Sequence, residues 1–291
     1  MALLKLNLSL VCLFVLIATL ANVLEAADLR NRKAPQGALG VRLDHHFALN
    51  NRKNKQEADY RYRWLFSTYL VFKESVENVS PAQLQQMAID AHAEMQEDIL
   101  QYNPEFDENG KPVNLPTVIT ILAFDNKIIL SSSQRGASGF INGLPDSPVK
   151  EALDICQAAF ASGAYASKRP PPAGQTPDHR FSRKCGEIFA FHQYYQMGNE
   201  DMTTREPKAR VLAVGNVEWR RAAQYMDPCG TNIKTKWGCD ITVPEVGAVV
   251  LGNEGTAPYD LNEIAGGIDG IGQIQSCRKN FVLWSRKPAS A

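Results

Sequence analysis

The 291-residue chain carries 31 basic and 31 acidic side chains, so its formal net charge is zero. That balance argues against a nucleic-acid binder working through overall charge. The apolar fraction of 44% and charged fraction of 21% are those of a globular protein with an ordinary core.

Residues 1–26 read as a signal peptide. Lys5 precedes an apolar run from Leu8 to Leu20, and Leu24-Glu25-Ala26-Ala27 supplies small residues for cleavage. The run is shorter than the about 20 residues that span a bilayer. The mature chain is therefore expected to be secreted and to have no membrane span. Residues 27–75 read as a basic, mobile arm. Between residues 28 and 73 ten Lys or Arg face four acidic residues, a local charge of +6 (10 − 4). The arm is either a solvated leader or an extension that binds nucleic acid. Tyr60-Arg61-Tyr62-Arg63-Trp64 suits base stacking or, alternatively, a first strand with Trp64, Phe66 and Tyr69 packed inward.

A helix is expected from the Ser80 cap and Pro81, with Leu84, Ala88, Ala91, Met95 and Ile99 at helical spacing. Two β-branched runs, Thr117 to Phe124 and Lys127 to Ser131, flank Asp125-Asn126 and predict a hairpin. A second helix runs from Ser147-Pro148 to about Gly163, a third from Cys185 to Met197, closed by Gly198. Lys208 to Val217, Val246 to Leu251 and Asn280 to Trp284 read as strands. The glycine-rich stretch from Gly266 to Gly272 lacks the Lys-Ser/Thr of a phosphate loop. This order points to one layered α/β domain.

Cleavage removes Cys12 and leaves Cys156, Cys185, Cys229, Cys239 and Cys277, an odd number in an oxidising compartment. Three thiolates on a metal plus one disulfide would use all five. Cys185-Gly186-Glu187 opens the third helix, a strand follows, and then come Asp227-Pro228-Cys229 and Gly238-Cys239. Hydrolytic deamination uses a zinc ion with three protein ligands and one open position, and a carboxylate that shuttles protons without binding the metal. Cys185, Cys229 and Cys239 are the candidate ligands and Glu187 the candidate shuttle. His179, Arg183, Lys234 and Trp237 are candidate substrate contacts: His179 and Arg183 precede the helix, and Lys234 and Trp237 lie between the last two cysteines. His92-Ala93-Glu94 spells a second His-x-Glu, but it falls more than three turns into its helix and reads as part of an amphipathic face.

On these residues the chain resembles the cytidine deaminase-like superfamily, in the divergent Cys-x-Glu branch found among secreted toxins and fungal proteins. The resemblance covers roughly residues 115–255. It implies a three-layer α/β/α domain over residues 76–291, with a central mixed sheet and an extra N-terminal helical segment. It also implies zinc, and hydrolytic deamination of a nucleobase that is free, in a nucleoside or in nucleic acid. Two features depart from the family: nine residues separate Cys229 from Cys239, and about fifty separate the hairpin from Cys185. The alternative is an inactive, disulfide-stabilised secreted protein or effector, with Cys229 joined to Cys239. Cys156 and Cys277 are the candidate disulfide under the zinc reading. A third reading makes Cys185 a nucleophile with His179 as its base.

Overall fold

The computed structural model describes residues 29, 31–50, 63–110, 113–136, 139–172, 175 and 177–277. The signal-peptide residues, the run Tyr60 to Tyr62 and the strand expected at Asn280 to Trp284 lie outside the described residues. Among the described residues an eight-stranded sheet and five α-helices form a mixed α/β fold. The strands are β1 (Arg42–Leu43), β2 (Phe66–Phe72), β3 (Val118–Phe124), β4 (Lys127–Ser132), β5 (Arg210–Gly215), β6 (Gln224–Met226), β7 (Val249–Val250) and β8 (Ile268–Gly272). The helices are α1 (His45–Asn50), α2 (Pro81–Leu100), α3 (Pro148–Ala161), α4 (Gly186–Gln196) and α5 (Cys239–Glu245).

The sheet runs β1-β2-β4-β3-β5-β6, with β8 antiparallel on β2 and β7 parallel on β5. Every other pairing is antiparallel. The β3–β4 hairpin turns at Asp125, whose φ of 47° is a conformation that Asp tolerates in a tight turn. Alternation along the strands builds two cores. Ile119, Ile121, Ile128, Leu130, Leu212 and Val214 face α2 and pack with Leu84, Ala88, Ala91 and Met95. Leu122, Phe124, Ile129 and Val211 face the other way and pack with Leu153, Ile188, Phe191 and Val243 of α3, α4 and α5. Helices therefore cover both faces.

Helix α2 starts as its sequence requires. The Ser80 hydroxyl accepts from the Gln83 N–H, the Gln83 side chain accepts in return from the Ser80 N–H, and Pro81 occupies the first turn. Trp64 and Phe66 join the core beneath α2, and Tyr69 the opposite one. No helix among the described residues is long and apolar enough to cross a membrane.

Much of the stretch read as a mobile arm is instead part of the domain. Leu39, Val41, Leu43 and Phe47 are buried, and β1 pairs with β2. The backbone here is fastened by carboxylates: Glu94 accepts from the N–H groups of Leu39 (2.7 Å) and Val41 (3.1 Å), and Asp98 from that of Leu43 (2.8 Å). Glu94 of the second His-x-Glu is thereby committed to structure. Its neighbour His92 is buried with Nε2 3.2 Å from the Thr117 carbonyl. The glycine-rich stretch forms β8, which sequence reading left without a role.

Candidate metal and catalytic site

The site is assembled from four separate segments. Helix α4 begins directly after Cys185, whose extended backbone (φ −70°, ψ 152°) makes it the residue that caps the helix. Gly186 opens α4 because the helix crosses the sheet at close quarters there. A β-carbon at this position would lie 2.5 Å from Thr120 Oγ1 and 2.8 Å from the Ser131 carbonyl. The approach sets Cys185 and Glu187 against the strands β3 and β4. Cys229 follows β6 through Asp227-Pro228, and Cys239 is the first residue of α5.

Nine intervening residues would leave Cys229 and Cys239 free to drift. Lys168 prevents that: its ammonium donates to the carbonyls of Gly230 (2.7 Å) and Ile233 (3.1 Å) and pairs with Asp240. The loop is closed on itself as well, since the Cys239 N–H donates to Cys229 Sγ (3.2 Å) and the Asp240 N–H to the Cys229 carbonyl (3.1 Å). Gly238 permits this closure, because a β-carbon there would meet the Cys229 carbonyl at 2.3 Å.

The result is one cluster. The ligand atoms of Cys185, Cys229, Cys239 and His179 all lie within 4.8 Å of one another, with three of the four residues buried. Cys185 and Cys229 sulfurs are 3.2 Å apart, well beyond the roughly 2.05 Å of a disulfide. No described cysteine is in a disulfide. Cys156 packs among α3, α4 and α5, while Cys277 lies against the separate Phe47, Leu65 and Phe189 cluster, so the expected Cys156–Cys277 bridge is not formed. The Cys229–Cys239 bridge is not formed either.

Buried thiols in contact share their protons unequally. Hydrogen bonds from Cys185 and Cys239 hold Cys229 well below the usual thiol range. Contact with Cys229 raises Cys185, and burial raises Cys239. Three convergent thiols, one already favouring the thiolate, form a donor set that fits zinc, which prefers sulfur and nitrogen ligands in a compact group. A four-residue group of this composition can hold a metal ion.

Glu187 stands two residues beyond Cys185, in the first turn of α4, and is 5% exposed. Burial, reinforced by the nearby Cys229 sulfur, pushes its carboxyl up to about 7. Its Oε2 accepts a 3.4 Å hydrogen bond from Thr120 Oγ1. A cavity of about 440 Å³ opens onto Cys185, Glu187 and Cys229. Its outer lining includes exposed Arg135, Arg180 and Phe181, and Lys184. None of these three cations forms an ion pair among the described residues. Burial, and then the charges of Arg135 and Arg63, lower the Lys184 pKa.

Three expected substrate contacts fall elsewhere. Trp237 is fully buried: its indole N–H donates to the Pro177 carbonyl (3.2 Å) and its ring meets His179 edge-on at 5.0 Å. Arg183 is engaged by Asp154 (2.8 Å) and Gln157 and lies over the Trp237 ring at 5.7 Å. Lys234 is exposed, away from the cavity lining. His179, expected to touch substrate, belongs instead to the cysteine cluster. Sequence reading missed Arg135, Phe181 and Lys184. The run Arg180-Phe181-Ser182-Arg183-Lys184 was the available signal, but its charges could be assigned to the cavity only once the loop's path was known.

No known protein family, curated protein or solved structure matches this chain.

Proposed function

We propose that the protein is a secreted zinc-dependent hydrolase that deaminates a nucleobase, on the domain plan of the cytidine deaminase-like superfamily. The observation that carries this reading is the convergence of Cys185, Cys229 and Cys239 with a buried Glu187 at the inner end of one cavity. Cys185, Cys229 and Cys239 hold the ion, whose contribution when bound is to acidify a water molecule. Glu187 takes up one proton at its carboxylate and passes it to the ring nitrogen, then takes up a second and passes that to the departing amine. A carboxyl that titrates near neutrality suits both directions of that transfer. Thr120 holds the carboxylate in place through Oε2.

The strand order supports the same plan: a β3–β4 hairpin, the Cys-x-Glu helix α4, the adjacent strand β5, the second cysteine-bearing helix α5, and β7 parallel to β5. The lining supports a substrate that is a planar base bearing phosphate. Phe181, 53% exposed with the Arg180 guanidinium 5.3 Å from its ring centre, offers a stacking face, and Arg135, Arg180 and Lys184 offer charge. Secretion rests on the reading of residues 1–26. The inactive, disulfide-stabilised alternative rests on the nine-residue spacing of Cys229 and Cys239, and no described cysteine is joined to another.

Metal content and ammonia release test the proposal. The full chain should carry one zinc, lost in Cys185→Ser, Cys229→Ser and Cys239→Ser. It should release ammonia from a cytosine- or adenine-containing nucleoside, nucleotide or single-stranded oligonucleotide. A chain with full zinc and no deamination across that panel would reject the catalytic reading, and a chain without zinc would reject both.

A further inference from the structure

The geometry points to His179 as a hydrogen-bond donor to the Cys229 sulfur rather than a fourth metal ligand, so that the site is three sulfurs and one open position. The inference rests on the zinc reading above and decides between two kinds of zinc site. Four protein ligands make a closed, structural centre, whereas three with an exchangeable position make a catalytic one. His179 lies within reach of all three sulfurs, and its residue type alone would complete the closed set.

The backbone around the ring decides otherwise. His179 Nδ1 accepts two hydrogen bonds, from the N–H groups of Phe181 (3.1 Å) and Arg183 (3.2 Å). A neutral imidazole carries one proton, and a nitrogen that accepts two N–H groups does not carry it. Assigned from this pattern, the tautomer has its proton on Nε2, the atom that lies 3.8 Å from Cys229 Sγ. A ligating Nε2 would need its lone pair free and a proton on Nδ1 directed at an acceptor. Here Nδ1 faces two donors.

The ring cannot readily turn to change this. It packs edge-on against Trp237, and the two residues form an isolated β-bridge. The Arg180 N–H donates to the Trp237 carbonyl at 2.8 Å. Trp237 is pinned in turn through its indole to Pro177. A half-turn of the imidazole would abandon both bonds to Nδ1. The large residues of this loop therefore serve the orientation of one N–H group.

That N–H has a use at the sulfur. Three thiolates on a doubly charged ion leave the centre net negative, which disfavours ionisation of a water at the open position. Cys229 Sγ receives the Cys239 N–H at 3.2 Å and faces the His179 Nε2–H. Both draw charge from the sulfur. The nearby cations Arg183 and Arg180 are placed otherwise: Arg183 pairs with Asp154 and Arg180 lines the outer cavity.

Cobalt substitution of the full chain tests the assignment. In the wild type, azide should shift the visible d–d bands by occupying the open position. His179→Ala should still bind one metal ion, with the sulfur-to-cobalt charge-transfer band displaced, and azide should still shift its d–d bands. His179→Gln, which offers an amide N–H near the same place, should restore the charge-transfer band. Azide silence in the wild type, with a response appearing only in His179→Ala, would overturn the inference. Should His179→Ala fail to fold, nitrogen-15 NMR of histidine-labelled wild type loaded with cadmium-113 reads the same point. No cadmium–nitrogen splitting at His179, with an unprotonated Nδ1, is expected; a resolved splitting overturns it. Failure to take up any metal would sink the zinc reading, yet the metal-free spectrum still reports the tautomer, and a proton on Nδ1 would refute the assignment by itself.

Discussion

At Glu187, burial does two things that an exposed glutamate at the same sequence position could not. It raises the carboxyl to about 7, and it holds the group beside Cys185 and Cys229 at the cavity. Glu187→Gln keeps the shape and the Thr120 contact. It is expected to retain one zinc while lowering kcat by about 10²–10⁴-fold, the usual range for removing a positioned acid–base group. Steady-state kinetics alongside metal analysis read both numbers. Trp237 illustrates the opposite case, a residue whose chemistry suggested substrate and whose burial makes it scaffold. Trp237→Ala should cost about 3–5 kcal/mol by denaturant titration, as deletion of a fully buried large aromatic does. A change of less than 1 kcal/mol would contradict the packing described. His92-Ala93-Glu94 shows why a motif needs its setting: inside this helix Glu94 clasps residues 39–41 and His92 faces the Thr117 carbonyl.

Elements decide whether the cysteines meet. Helix α4 rests on β3 and β4 through Gly186, where no side chain fits. Gly186→Ala must push the helix start away from Thr120 and the Ser131 carbonyl, at a cost of about 1–3 kcal/mol for overpacking. Because Cys185 and Glu187 flank it, the same variant should lose zinc affinity and activity together. Folding with wild-type zinc binding would show that the approach is not needed. The long loop from Cys229 to Cys239 depends on Lys168 in the same way. Lys168→Met removes a 5% exposed ammonium that joins Gly230, Ile233 and Asp240. Competition with a zinc chelator should show affinity weakened by about 10–100-fold, the range for losing an outer partner of a metal site.

Over the whole molecule, buried carboxylates fasten the N-terminal segment to the rest. Asp98 accepts from Leu43 and Gln101, and Asp44 accepts from Phe47 and Ser276, so residues far apart in sequence are tied together. Burial outweighs these bonds and pushes Asp98 up to about 7 and Asp44 upward. A carboxyl raised on folding holds a proton that the unfolded chain releases. Its contribution is full below about pH 4 and is lost as pH rises to about 7. Asp98→Asn, which stays neutral, should therefore gain thermal stability relative to the wild type between pH 5 and pH 8. Melting temperatures across that range check the sign, and a gain in the wild type's favour would be inconsistent with a raised carboxyl.

What the sequence by itself determined was whatever depends on near neighbours. The Ser80 capping box with Pro81, the β-branched runs around Asp125-Asn126 and the apolar faces of α3 and α4 are local patterns, and they formed where they were expected. The three cysteines Cys185, Cys229 and Cys239 were likewise legible as a candidate metal group, and they come together. Only the tertiary structure decided the rest. Strand β8 exists because β2 offers it an edge, not because glycines favour strands. Helix α5 contains Pro244 and draws on packing against α3. His179 entered the cysteine cluster, and received its tautomer, from two backbone N–H groups in a turn that no side-chain pattern announces. Hydrogen bonds and burial between segments tens of residues apart carry no local signature. They set which groups are charged, which are scaffold and which face the cavity, and composition and spacing could not show that.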